Sequence, residues 1–161
     1  MAILTKSGRV AIANAITSLP LHFAWGTGDG AWLTPPSESP NASALINELG
    51  RRTVTSWAYV VPNVAGDIVT STGTFSLSPG NAPTSNIWVK ANFAFTDAQS
   101  AVIREVAVYS DTVVATGLPP GQAYFTPGQI TDPGILLYLE NITPIFRSPT
   151  IQENFEAVIS F

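Results

Sequence analysis

The chain has 161 residues, one domain's length, of which 45 % are apolar and only 11 % charged, less than half the charged share usual for a soluble domain. A net charge of −4 and scattered basic residues, with Arg51-Arg52 the only adjacent pair, exclude the cation clusters that nucleic acids and anionic membranes require. The absence of cysteine excludes disulfides and thiolate metal sites, and so little charge implies a surface that meets other protein.

Residues 1–9 lack a basic stretch followed by an apolar one, so no signal peptide is read there. No apolar run approaches the ~20 residues of a membrane span, so the expectation is a soluble protein assembled in a cytoplasm, without membrane insertion.

The first predicted element is a helix over residues 6–18. Thr5 or Ser7 is its cap, Val10, Ala13, Ile16 and Leu19 recur at helical spacing, and Pro20 stops it. Residues 21–25 form a short apolar strand. A second short helix is predicted over 42–49, with Asn41 as N-cap, Leu45, Ile46 and Leu49 as its stripe and Gly50 as C-cap. Strands follow at 53–62 and 67–77, with a hairpin turn over 62–67 between them.

The clearest period-two alternation is Ile87, Val89, Ala91, Phe93 and Phe95, which places Trp88 and Lys90 on the other face. The same period marks 103–109 and the terminal Phe155, Ala157, Ile159 and Phe161, and 135–139 is a further apolar strand. Four prolines make 119–134 a long loop, a kind of segment that often binds partners. The fold predicted is mainly β: one antiparallel β-sandwich-like domain over 1–161, with an N-terminal helix and the second short helix at one side, or failing that α+β.

Chemistry-bearing patterns are sparse. The single histidine, His22, lies between Leu21 and Phe23, a setting that suits a packed ring better than a base, and no serine stands in Gly-x-Ser-x-Gly. The carboxylates form no recognisable glycosidase pair. Trp25-Gly-Thr-Gly-Asp-Gly-Ala-Trp32 lacks the Lys-Ser/Thr of a phosphate loop and the ligand count of a calcium loop; it reads as a tight turn anchored by Trp25 and Trp32. No catalytic, cofactor or metal residue is assigned.

Scarce charge makes its clusters informative. Arg104 and Glu105 are adjacent on a strand and point to opposite faces, so one of them is buried. A buried charge needs a partner, and the candidate pairs are Glu105 with Arg51 or Glu48 with Arg104, within one chain or between subunits. Trp88 is the aromatic best placed for an interface or glycan contact.

Five blocks in order carry a resemblance: Leu4-Thr-Lys-Ser-Gly-Arg-Val-Ala-Ile-Ala; Leu21-His-Phe-Ala-Trp-Gly-Thr-Gly-Asp with Trp32; Leu45-Ile-Asn-Glu-Leu-Gly-Arg-Arg; Asn86-Ile-Trp-Val-Lys-Ala-Asn-Phe-Ala-Phe; and Ile103-Arg-Glu-Val-Ala-Val-Tyr. Over residues 4–109 the chain resembles phage tail-collar fibre and related tail-fibre and baseplate attachment proteins. The resemblance implies a structural, non-enzymatic role in the virion tail, as an oligomeric adaptor or collar-like subunit. It implies a homo-oligomer, a trimer or ring, whose partners are other tail, baseplate or fibre proteins. The N-terminal helix and the 119–134 segment are the expected contact elements. The alternative is a carbohydrate-binding module that recognises a host-surface glycan through exposed aromatics.

Overall fold

A computed structural model describes all 161 residues. In chain order the elements are α1 (Lys6–Thr17), β1 (Leu21–Gly26), β2 (Glu48–Thr53), β3 (Ser56–Pro62), β4 (Ile68–Thr70), β5 (Gly73–Leu77), β6 (Asn86–Phe93), β7 (Val102–Ser110), β8 (Val113–Val114), β9 (Tyr124–Phe125), β10 (Ile130–Asp132), β11 (Ile135–Phe146) and β12 (Glu153–Ser160). Strands hold 44 % of the chain and helix 11 %, so the fold class is mainly β, with antiparallel sheets and an N-terminal helix. The strand orders are β11-β7-β1-β2-β9, β12-β6-β3-β5-β4 and the small pair β10-β8.

The chain divides into two compact units. One comprises Met1–Leu19, Val54–Ala91 and Phe155–Phe161. Here Val60, Phe75 and Val158 form a buried cluster against which Ile68 and Trp88 pack. The Oγ1 of Thr5 caps α1 by accepting the Gly8 N–H at 3.2 Å. The other end of the helix is tied to β3: the Tyr59 hydroxyl donates to Asn14 Oδ1 at 2.9 Å and lies 3.0 Å from Thr17 Oγ1. Only Ala13 of α1 is fully buried.

The turn at 62–67 is real but does not close a hairpin of its flanking strands. Asn63 organises it, its Oδ1 accepting the Ala65 N–H, but β5 lies between β3 and β4 in the sheet. The tight hairpin is instead β4–β5, where Thr70 faces Gly73.

The second unit comprises Pro20–Thr53 and Asn92–Asn154. Every residue of β1, a central strand flanked by antiparallel β2 and β7, is buried. Such full burial explains why 21–25 reads as an unbroken apolar run rather than an alternation. In β6, by contrast, burial alternates strictly, with Ile87, Val89, Ala91 and Phe93 inside.

The helix expected over 42–49 does not form; β2 begins at Glu48, and Gly50 lies inside it. The competing interactions are visible. The N–H groups of Leu45, Ile46 and Asn47 donate to the Tyr109 hydroxyl and the Glu105 carboxylate, and Leu45 packs among Ala24, Ala107 and Tyr109. Tertiary acceptors thus outbid a marginal eight-residue helix. The 119–134 segment is also more ordered in type than a loop. It contains β9, a 3-10 turn at Pro127–Gln129 closed by a Thr126/Gln129 capping box, and β10.

Candidate functional site

The charges expected to pair do so in a different combination. Arg51, buried on β2, forms a two-pronged contact with Glu48, Nε to Oε1 at 2.7 Å and Nη2 to Oε2 at 2.8 Å. Its Nη1 donates to Thr112 Oγ1 and to the Pro133 carbonyl, and the guanidinium lies 3.9 Å above the Tyr109 ring. One side chain therefore joins β2 to the segments flanking β8 and β10.

Glu105 is the buried member of the Arg104–Glu105 pair, 1 % exposed, and it meets no cation. Its carboxylate accepts three backbone N–H groups, from Gly28, Ile46 and Asn47, at 2.9–3.2 Å. The neighbouring Arg104 reaches the Thr27 carbonyl through Nη1. Neither Glu105–Arg51 nor Glu48–Arg104 forms. Backbone donors on the 26–28 and 45–47 segments supply what a cation would have supplied.

The glycine segment follows from this carboxylate. A Cβ on Gly26 would stand 2.4 Å from Glu105 Oε1 and 2.7 Å from the Asn47 carbonyl. Gly28 has φ +56°, and the Trp32 ring lies where its side chain would project. Trp25 is fully buried, stacked on Phe93 at 3.7 Å with its Nε1 donating to the Tyr124 hydroxyl at 3.0 Å. Trp32 is half-buried. Both tryptophans flank a loop folded around a carboxylate.

A second charged group went unnoticed in the sequence. Asp97, buried, accepts from Arg52 Nη1 at 2.6 Å and from the Ala94 N–H at 2.8 Å. Arg147 is buried too; it donates to the carbonyls of Ala94, Asp97 and Ile151, sits 3.6 Å from Glu153 and lies 5.0 Å over the Trp25 ring. Together they fix the 94–101 segment. A lone arginine in Phe-Arg-Ser-Pro gives no periodic signal that would have marked it.

His22 is buried beside Phe125 and Thr53, with Nδ1 unpartnered. Burial, assisted by the Arg51 charge, pushes its pKa down from 6.5 to about 4. It is a neutral imidazole at pH 7. No three His, Asp or Glu side chains gather in a metal-binding group.

The surface differs from expectation in its aromatics. Trp88 is half-buried on the Val60 cluster, and its Nε1 donates to Glu156, which also binds Lys90 at 2.9 Å. The more exposed tryptophan is Trp57, 40 % exposed and edge-on to Tyr59. Alternation could not have flagged it, since Trp57 pairs across β3–β6 with the buried Val89 and so shares that residue's face.

One exposed apolar set lies at the N-terminus. Met1, Ile3 (79 % exposed), Leu4 (50 %) and Ile12 all face solvent around Lys6 and Arg9, and the Thr5, Lys6, Ser7 and Val10 side chains border an open apolar hollow. Clusters of this kind mark protein contact sites. In the second unit, a groove of about 300 Å³ lies between residues 38–42 and β11, its lining mixing Glu38, Ser39 and Tyr138 with Leu136, Leu137 and Leu139.

These features can hold loops rigidly and offer apolar contact area. Among known proteins, the family described as "Baseplate wedge 3 tail fiber network component" matches residues 1–161. No curated protein matches the chain.

Proposed function

Because the chain belongs to the baseplate wedge 3 tail fiber network component family, and so to the structural proteins of the phage tail, we propose that it acts as an oligomeric adaptor joining tail fibre to baseplate. Its role on this reading is mechanical rather than catalytic, and α1 with the preceding residues is the contact element. The observation that carries the reading is the exposed set Met1, Ile3, Leu4 and Ile12, in a chain whose charge is scarce. An apolar patch left in water favours removal into an interface by about 25 cal/mol per Å² of buried surface.

The buried charges support the same role. Arg51, Glu105, Asp97 and Arg147 are used up on internal carbonyls, carboxylates and N–H groups, which stiffens the segments between strands. A load-transmitting subunit needs that stiffness. The test is incorporation: chains carrying Ile3→Asp and Leu4→Asp, compared with wild type by quantitative mass spectrometry of purified tails. Loss of the variant from particles, with its Tm unchanged, supports the reading; wild-type incorporation would remove α1 as the contact element.

A further inference from the structure

We infer that the N-terminal segment of one copy docks, head to tail, into the β11 groove of a second copy. The inference rests on the adaptor reading and names the occupant of its contact surface.

Charge supports this choice of occupant. None of the eleven acidic residues precedes Asp29, so the segment up to the end of α1 carries Lys6 and Arg9 with no carboxylate. The other cationic side chains are engaged within the chain: Arg51 with Glu48, Arg52 with Asp97, Lys90 with Glu156, Arg147 with Glu153, and Arg104 with the Thr27 carbonyl. Lys6 and Arg9, both exposed, are the cations left to meet a partner.

The groove offers the opposite pattern in a matching setting. Leu136, Leu137, Tyr138 and Leu139 of β11 line it together with Pro40, Ala42 and Glu38, and Glu140, which accepts from the Tyr138 hydroxyl, is next along the strand. Glu38 Oε1 accepts the Asn141 N–H at 2.8 Å, which fixes the carboxylate at the groove's edge. A volume of about 300 Å³ holds two or three aliphatic side chains, the number that the exposed Met1, Ile3 and Leu4 present. The apolar groups would fill the groove while Lys6 and Arg9 reach the two carboxylates, so that attraction fixes the orientation as well as the site.

Each copy carries one segment and one groove, built from different residues, so the contact is heterologous and repeats from copy to copy, as a ring or an open series. That property gives a decisive experiment. One variant, Ile3→Asp with Leu4→Asp, loses the segment; another, Ser39→Trp, plugs the groove from an exposed position, and Leu137→Asp serves as an independent groove variant if the plug perturbs folding. Each is measured alone and in equimolar mixture by light scattering, with circular dichroism confirming the fold.

The expected result is that wild type assembles, each variant alone is a monomer, and the mixture doubles in mass and grows no further, because one intact segment meets one intact groove. If wild type assembles but the mixture stays monomeric, or the variants assemble like wild type, the groove is not the occupant's seat, and the adaptor reading survives through another surface. If wild type is a monomer throughout, both the inference and self-association fall.

Discussion

The unusual residues are charges held by uncharged groups. Glu105 sits in a nest of three N–H donors, and its carboxylate shape and charge are both in use. Glu105→Gln would turn an amide NH₂ toward those donors and should cost about 3 kcal/mol, since hydrogen bonds to a buried charged group are worth more than neutral ones. Urea denaturation reads this as a lowered midpoint at unchanged m-value; a loss below about 1 kcal/mol would mean that the nest contributes little. His22 gives a pH dependence. Its folded pKa of about 4 lies below the unfolded 6.5, so between those values the unfolded chain binds the proton first. Stability from the neutral ring is therefore full above pH 6.5 and falls as pH drops toward 4, by up to on the order of 3 kcal/mol. His22→Gln should lose that limb; equal acid sensitivity in both proteins, measured by denaturation from pH 7 to pH 4, would contradict the assignment. The burial of one member of Arg104–Glu105 was legible from strand alternation. Its partners were not, because backbone N–H groups leave no mark in a side-chain pattern.

Among elements, those with strong periodicity or unbroken apolar runs were legible: α1 from its cap and spacing, β6 from alternation, β1 from its continuous apolar run. Residues 42–49 were misread for a physical reason. Asn41, the leucine stripe and Gly50 make an acceptable helix locally, but the backbone N–H groups are taken by Glu105 and Tyr109, which lie about sixty residues away in sequence and are brought near by β7. The Arg51–Glu48 pair is the joint of β2 with the segments around β8 and β10. Arg51→Met should destabilise by about 3 kcal/mol because it strands the shielded Glu48 carboxylate, and adding Glu48→Leu should recover part of that loss. A double-mutant cycle in guanidinium measures the coupling. Additive losses would show that the two side chains act independently and that the joint lies elsewhere.

For the whole molecule, low charge is explained by where the charges went. Most cations are committed inside the units, while large apolar side chains stand exposed along the chain, Met1, Ile3, Leu4 and Ile12 at the N-terminus among them, a distribution suited to a subunit built into a larger object. The sequence carried this at the level of composition and motif order, which sufficed for the family. It could not show which aromatic is open: Trp57 is, whereas Trp88 is tied to Glu156. Trp57→Ala should accordingly leave the Tm within a degree or two, while Trp88→Ala should lower it by several degrees through lost packing on Val60 and Phe75. Equal Tm losses in calorimetry would contradict that division.

The central claim, that this is an assembling structural subunit, is tested most directly by the mass of the purified wild-type protein in light scattering across a dilution series. The account predicts a species larger than one chain that dissociates only on strong dilution and is lost with Ile3→Asp and Leu4→Asp. A monomer at every concentration would contradict it.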